Sequence, residues 1–114
     1  MQLDGTRAYA ELIDAGNDWA DKSAAADLYD EQKHSVLSEL KLNSTATSDA
    51  ARETEARASQ RYQQFIRELV EARRLANRAR VRLDAVKVLA ELRRTESANR
   101  RAEQQFVQGG SAGT

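Results

Sequence analysis

The chain of 114 residues contains no cysteine, no proline and few aromatic side chains: one Trp, three Tyr and two Phe. Without cysteine it has no disulfides, no thiolate metal ligands and no thiol nucleophile. No apolar run approaches the roughly 20 residues that cross a bilayer, and the N-terminus lacks the basic-then-apolar order of a secretory signal. We therefore expect a soluble, cytoplasmic protein that has no membrane partner.

The residue patterns of enzyme active sites are also missing. The sequence has no glycine-rich phosphate loop, no nucleophile elbow and no set of residues for a Ser-His-Asp triad. Glu31 and His34 have the Glu-x-x-His spacing of di-metal helical bundles, but His34 is the only histidine and Lys33 adjoins it. We interpret His34 as an exposed side chain. The sequence thus predicts a non-enzyme with no catalytic residue, no metal or other cofactor and no small-molecule substrate.

Regular apolar spacing is the main feature that the chain does have. Between Tyr62 and Ala90 it continues over four heptads, at alternating intervals of three and four residues: Tyr62, Phe65, Leu69, Ala72, Ala76, Ala79, Leu83, Val86 and Ala90. This spacing is typical of a helix that packs against other helices.

Residues 1–107 are predicted to form a single all-α domain. We expect this domain to be an antiparallel hairpin of two helices. We predict helix 1 over about 6–41, a Ser/Thr/Asn-rich loop over 42–48, helix 2 over about 49–106 and a flexible tail over 108–114. Gly16 indicates either a break in helix 1 or a close approach of neighbouring side chains. At 1.5 Å per residue helix 2 is about 85–90 Å long and helix 1 about 50–55 Å, which leaves the segment from Leu89 to Phe106 uncovered.

An alanine-rich helix pair buries little apolar surface to offset the cost of ordering its backbone. We therefore expect the chain to assemble into a homo-oligomeric helical bundle or coiled coil. The predicted oligomer or partner interface comprises Tyr62, Phe65, Leu69, Ala72, Ala76, Ala79, Leu83, Val86, Leu89, Leu92 and Phe106.

Charge is divided between the two halves, although the net charge is zero. Residues 1–47 carry nine acidic and four basic side chains, whereas residues 48–114 carry nine acidic and fourteen basic ones. The basic residues of helix 2 predict a collar of cations that pairs with phosphate groups. An alternative is that they pair with carboxylates of helix 1, which we favour for residues 67–78. The candidate nucleic-acid-binding residues are Arg80, Arg82, Lys87, Arg93, Arg94, Arg100 and Arg101.

The order of features along the chain resembles UvsY-type recombination mediators, which are small helical proteins encoded in the recombination cassettes of tailed phages. The similar residues are Tyr9, Trp19, Lys33 and Leu37 in helix 1, then, after a polar loop, Arg52, Glu53, Ala56, Ala58, Tyr62, Ala72, Val81, Arg82 and Asp84 in helix 2. The resemblance implies a homo-oligomer in the host cytoplasm that binds single-stranded DNA and helps to load a recombinase while displacing single-strand-binding protein.

Two functions remain open from the sequence. The first is a phage-type accessory protein that binds single-stranded DNA, a recombination protein or both through the basic part of helix 2. The second is a structural or inhibitory adaptor whose uncovered helix end docks in a groove of another protein through its apolar residues.

Overall fold

A computed structural model describes residues 5–112 of the chain, and the side chains of residues 5–107. It contains three helices: α1 (Gly5–Leu42), α2 (Asp49–Ala58) and α3 (Gln60–Ala112). Residues 5–112 form no β-strand, so the prediction of an all-α fold is confirmed. The molecule is elongated, with extents of 95 × 20 × 18 Å.

The connection between α1 and α2 spans residues 43–48 and is held by side chains from both helices. Lys41 and Asp49 form an ion pair at 2.9 Å, and the Arg52 guanidinium donates a hydrogen bond to the Ala46 carbonyl at 2.8 Å. Ser48 caps α2, because its hydroxyl accepts a hydrogen bond from the Ala51 amide at 3.1 Å. The hydrogen bond from Lys41 lowers the pKa of the Asp49 carboxyl below its ordinary value.

A break at Ser59 separates α2 from α3, whereas the sequence analysis predicts one uninterrupted helix from residue 49. The backbone of Ser59 is extended, with φ −67° and ψ 150°. Its hydroxyl donates to the Ala56 carbonyl at 2.7 Å and accepts from the Tyr62 amide at 3.2 Å. One serine side chain thus replaces helical backbone hydrogen bonds at the end of α2 and at the start of α3.

Two further contacts span this break. The Gln63 amide group donates to the Arg57 carbonyl at 2.8 Å, and the Arg57 guanidinium donates to the Tyr62 hydroxyl at 3.3 Å. The same guanidinium lies 5.9 Å from the centre of the Tyr62 ring, within the range of a cation–π interaction. These contacts fix the direction in which α3 leaves Ser59.

The core lies between α1 and α3 and consists mostly of small residues. Ala15 and Ala26 are buried on α1, and Tyr29 of α1 contacts Phe65 of α3 with ring centroids 5.7 Å apart. The buried residues of α2 and α3 are Ala56, Tyr62, Leu69, Ala76, Ala79 and Leu83. Alanine at so many core positions lets the two helix backbones approach closely.

The apolar seam predicted to join subunits is therefore covered by α1 of the same chain. Tyr62, Phe65, Leu69, Ala72, Ala76, Ala79, Leu83 and Val86 are all buried or half-buried. Spacing at intervals of three and four residues shows that a helix face packs, but it does not say whether the partner lies in the same chain. The other predicted interface residues, Leu89, Leu92 and Phe106, are exposed.

α1 covers more of α3 than its predicted length suggests, since residues near Gly5 and Leu12 share a recess with Ala90 and Arg101. From residue 94 to residue 107 every side chain is exposed. α3 continues through residue 108, where the sequence analysis places a flexible tail, and ends at Ala112. The two glycines at positions 109 and 110 do not end the helix, and residues 113 and 114 lie outside the described part of the chain.

Gly16 neither breaks α1 nor provides room for a neighbour. α1 is continuous through it, and a Cβ atom built at Gly16 meets nothing within 4 Å. Both readings of this glycine from the sequence are therefore wrong.

Replacing Gly16 with alanine is expected to stabilise the protein by roughly 0.5–1 kcal/mol, because alanine restricts the unfolded backbone and the helix has space for the methyl group. Urea unfolding followed by circular dichroism measures the change. The matched variant Ala15→Gly should destabilise, since Ala15 is fully buried. A Gly16→Ala protein less stable than the wild type would contradict this account of the site.

Replacing Ala76 with tryptophan is expected to destabilise the packing of α1 on α3 by at least about 1–3 kcal/mol, because the buried position has no room for an indole. The neighbouring variant Asn77→Trp serves as the control, since Asn77 is exposed. Thermal unfolding of both variants makes the comparison, and equal melting temperatures would show that Ala76 is not in the core.

Candidate nucleic-acid interface

Five basic residues lie along one edge of α3, and we call them the cationic row. They occupy every seventh position of the helix: Arg73, Arg80, Lys87, Arg94 and Arg101. Seven residues make about two helical turns, so neighbouring members are about 10.5 Å apart and the row is about 42 Å long. Four of the seven predicted nucleic-acid-binding residues, Arg80, Lys87, Arg94 and Arg101, thus form a line along this edge.

The first member of the row is paired with α1, but the next positions of α1 along that edge are uncharged. Arg73 forms an ion pair with Asp30. Counting back from Asp30 in sevens gives Ser23, Gly16 and Tyr9. These positions follow the row because residues later in α1 contact residues earlier in α3: Asp30 meets Arg73, and Tyr9 shares a recess with Arg94. α1 thus offers a carboxylate to one end of the row only.

Two members of the row, Arg80 and Lys87, are exposed and form no hydrogen bond or ion pair with any residue whose side chain the structure describes. Arg94 lies 3.7 Å from Glu91, one turn earlier in the same helix. Arg101 donates to the Ser97 carbonyl at 3.5 Å. Such exposed contacts within a helix are weak, so these guanidinium groups remain available to a phosphate.

Arg82 has a different role from the row, although the sequence analysis groups it with the others. It donates to Asp14 at 2.9 Å and lies 3.9 Å from Asp18 on the opposite edge of the helix pair. The hydrogen bond to Asp14 raises the pKa of the Arg82 guanidinium. This arginine is occupied by α1, which is the pairing that the sequence analysis assigns to residues 67–78.

The remaining predicted residues, Arg93 and Arg100, follow Val86 at intervals of seven. They therefore continue the line of α3 that faces α1 farther back in the chain. Arg93 is half-buried beside the first turns of α1, whereas Arg100 is exposed. The side of α3 that is apolar in the core thus becomes cationic toward its far end.

Ion pairs also form among the earlier arginines. Arg61 lies 3.7 Å from Glu39 of α1, and Arg74 pairs with Glu71 of its own helix at 2.7 Å. The hydrogen bond between Arg74 and Glu71 raises the pKa of the guanidinium and lowers that of the carboxyl. Arg61, Arg73 and Arg74 are thus paired with carboxylates, whereas Arg67 and Arg78 form no ion pair with any residue whose side chain the structure describes. The pairing with α1 that the sequence favours for residues 67–78 is found within that part of the chain for Arg73 alone.

A recess of about 400 Å³ lies where the first turns of α1 meet the far part of α3. Its lining includes Tyr9 and Leu12 from α1 together with Arg94 and Arg101, the last two members of the row. Tyr9 is 66% exposed. In the sequence Tyr9 stands out only among the residues of helix 1 that resemble UvsY-type mediators, because Tyr9 and the arginines are too far apart in the chain for the sequence to predict their contact.

The outward face of α3 carries a second apolar line, directed away from α1. Val81, Ala85, Val88 and Leu92 recur at intervals of four, three and four residues. Val81, Val88 and Leu92 are each more than half exposed, and Phe106 farther along is 82% exposed. These residues are part of the apolar surface of α3 that α1 does not cover.

Neither a metal centre nor a membrane span is found in the part of the chain that the structure describes. No three histidine or acidic side chains within it are placed to hold a metal ion, and His34 is exposed. None of its helices has a stretch apolar and long enough to cross a bilayer. Comparison of the chain with known protein families, with curated proteins and with solved structures gives no significant match.

Proposed function

We propose that this protein is a non-enzymatic accessory protein that binds single-stranded nucleic acid along the cationic row. The observation that supports the proposal is a difference in charge between α3 and α1 along one edge of the helix pair. Beyond the pair of Arg73 with Asp30, the row continues with four more cations, while the matching positions of α1 carry no acid. A line of cations without facing carboxylates is suited to a polyanion.

The spacing of the row favours a flexible strand over a rigid duplex. A single strand is flexible enough to place non-adjacent phosphates at cations about 10.5 Å apart, and one guanidinium can donate two parallel hydrogen bonds to the oxygens of a phosphate. A straight helix about 42 Å long follows a duplex only over a short distance before the groove turns away. We therefore propose that the ligand is a single strand that lies lengthwise on α3.

In this proposal α1 and α3 form an antiparallel hairpin, and copies of it associate through the outward apolar line of α3. Association in this way leaves the cationic row accessible, because the row and the apolar line lie on different sides of the helix. The resemblance to UvsY-type mediators extends the proposal to DNA recombination, with a recombinase as a second partner. Both partners would meet the protein in the cytoplasm of a host cell.

The exposed apolar line favours a second function, that of a structural or inhibitory protein–protein adaptor. Val81, Val88 and Leu92 present a helix face of the kind that fits an apolar groove. In that function the arginines serve solubility and the ion pairs with α1. The two functions differ in whether affinity depends on the row or on the apolar line.

The first proposal predicts that the protein binds oligothymidylate with an affinity that falls as salt rises. Each phosphate contact contributes a slope of about −0.7 in the plot of log affinity against log salt. The double variant Arg80→Ala with Lys87→Ala should therefore bind more weakly and lose roughly 1.4 from the magnitude of that slope. Fluorescence anisotropy over a series of salt concentrations measures both quantities.

The control for this experiment is Arg67→Ala with Arg78→Ala, which removes the same charge from the same helix at exposed positions outside the row. It should keep the affinity and slope of the wild type. Equal losses in the two double variants would show that only net charge matters. Absence of binding even at low salt would refute the proposal.

A single charge on the outward apolar line is expected to abolish association through that line in both functions, and the capture of a protein partner then distinguishes the second. Leu92→Asp should lose both self-association, measured by light scattering, and the capture of a protein partner in pull-down experiments, because a carboxylate cannot be buried unpaired. Asn99→Asp adds the same charge seven residues farther along the same side and should retain both. Loss of capture by Leu92→Asp in a protein that binds no oligonucleotide would select the adaptor function.

A further inference from the structure

We infer that the recess at the far end of the helix pair is a nucleotide subsite, in which Tyr9 stacks on an unpaired base and Arg94 and Arg101 hold its phosphate. The inference rests on the proposed function and gives it a specific point of contact. The recess lies where the first turns of α1 meet Arg94 and Arg101, the last two members of the cationic row.

The recess combines the two chemistries that a nucleotide needs. Its lining includes the apolar and aromatic side chains of Tyr9, Leu12 and Ala90 and the cationic side chains of Arg94 and Arg101. Its volume of about 400 Å³ falls within the roughly 300–1,000 Å³ of typical small-molecule sites. The base and the phosphate of one nucleotide thus find suitable partners in the lining of the same recess.

Tyr9 lines the recess, yet most of its side chain is exposed to solvent. With 66% of its surface accessible, most of the ring has no protein neighbour. The other tyrosines of the chain, Tyr29 and Tyr62, are half-buried and buried in the contact between the helices. The Tyr9 ring therefore lies in the recess and remains accessible to a ligand.

A free aromatic ring beside arginines is suited to single strands in particular. Stacking on a protein side chain needs a base whose face is not already covered by its neighbours, and every base offers such a face whatever its sequence. Arg94 and Arg101 are also the last two cations of the row. A strand whose base occupies the recess therefore continues along Lys87 and Arg80, so that the subsite fixes its position on α3.

The test compares two polyanions of equal phosphate number, oligothymidylate and inorganic polyphosphate, on the full-length chain. Tyr9→Ala is expected to weaken the binding of oligothymidylate about 5- to 150-fold, which corresponds to the loss of one stacked base. It should leave the affinity for polyphosphate unchanged, because that ligand has no bases. Tyr9→Phe should keep the affinity of the wild type for both ligands.

The control variant is Ile13→Ala, which removes an exposed apolar side chain one turn along α1, outside the lining of the recess. It should change neither affinity, and circular dichroism checks that all variants remain helical. Equal losses of both ligands in Tyr9→Ala, or no loss of either, would overturn the subsite while leaving binding by the row intact. A wild-type protein that binds neither ligand would overturn the proposed function itself.

Discussion

The close contact between α1 and α3 through alanine determines the geometry of the rest of the molecule. Ala15 and Ala26 on one helix and Ala76 and Ala79 on the other are buried, and larger side chains are placed only where the helices leave room, as at Tyr29 and Phe65. Because the helices are close, charged residues beside the contact reach across it. The ion pairs of Arg73 and Arg82 with α1 depend on this short separation.

The same contact divides the charges of α3 into two groups. On one edge Arg82 meets Asp14 and Asp18, so its charge is satisfied within the chain. On the other edge α1 supplies Asp30 and then uncharged residues, so the row continues without facing acids. Zero net charge therefore coexists with a local line of positive charge, and it is the local line that a polyanion would meet.

Much of the fold is readable from the sequence because the pattern that specifies it is periodic. The spacing predicts residue by residue that the seam from Tyr62 to Val86 packs against a helix, but it assigns the seam to an oligomer or partner interface, whereas α1 of the same chain covers it. The break at Ser59 was not predictable from residue type, because Ser97 lies inside α3 without interrupting it. Contacts of Arg57, Tyr62 and Gln63 around Ser59 make the difference, and these depend on the folded structure.

The candidate site was predictable in composition but not in arrangement. Arg80 and Arg82 are two residues apart and look equivalent in the sequence, yet only Arg82 meets a carboxylate of α1. Which arginine is paired depends on the register between the helices, and a single sequence does not show that register. The recess at Tyr9 depends on the same register.

The elongated shape has a consequence for how the molecule loses structure. In a body 95 Å long and about 20 Å wide, each layer of side chains touches only the layers before and after it. Unfolding that starts at the first turn of α1 can therefore proceed along the helix pair one layer at a time, while the end that holds the connection between α1 and α2 stays folded. Amide hydrogens should accordingly exchange with solvent along a gradient, fastest at the free ends and slowest around Leu69 and Ala76.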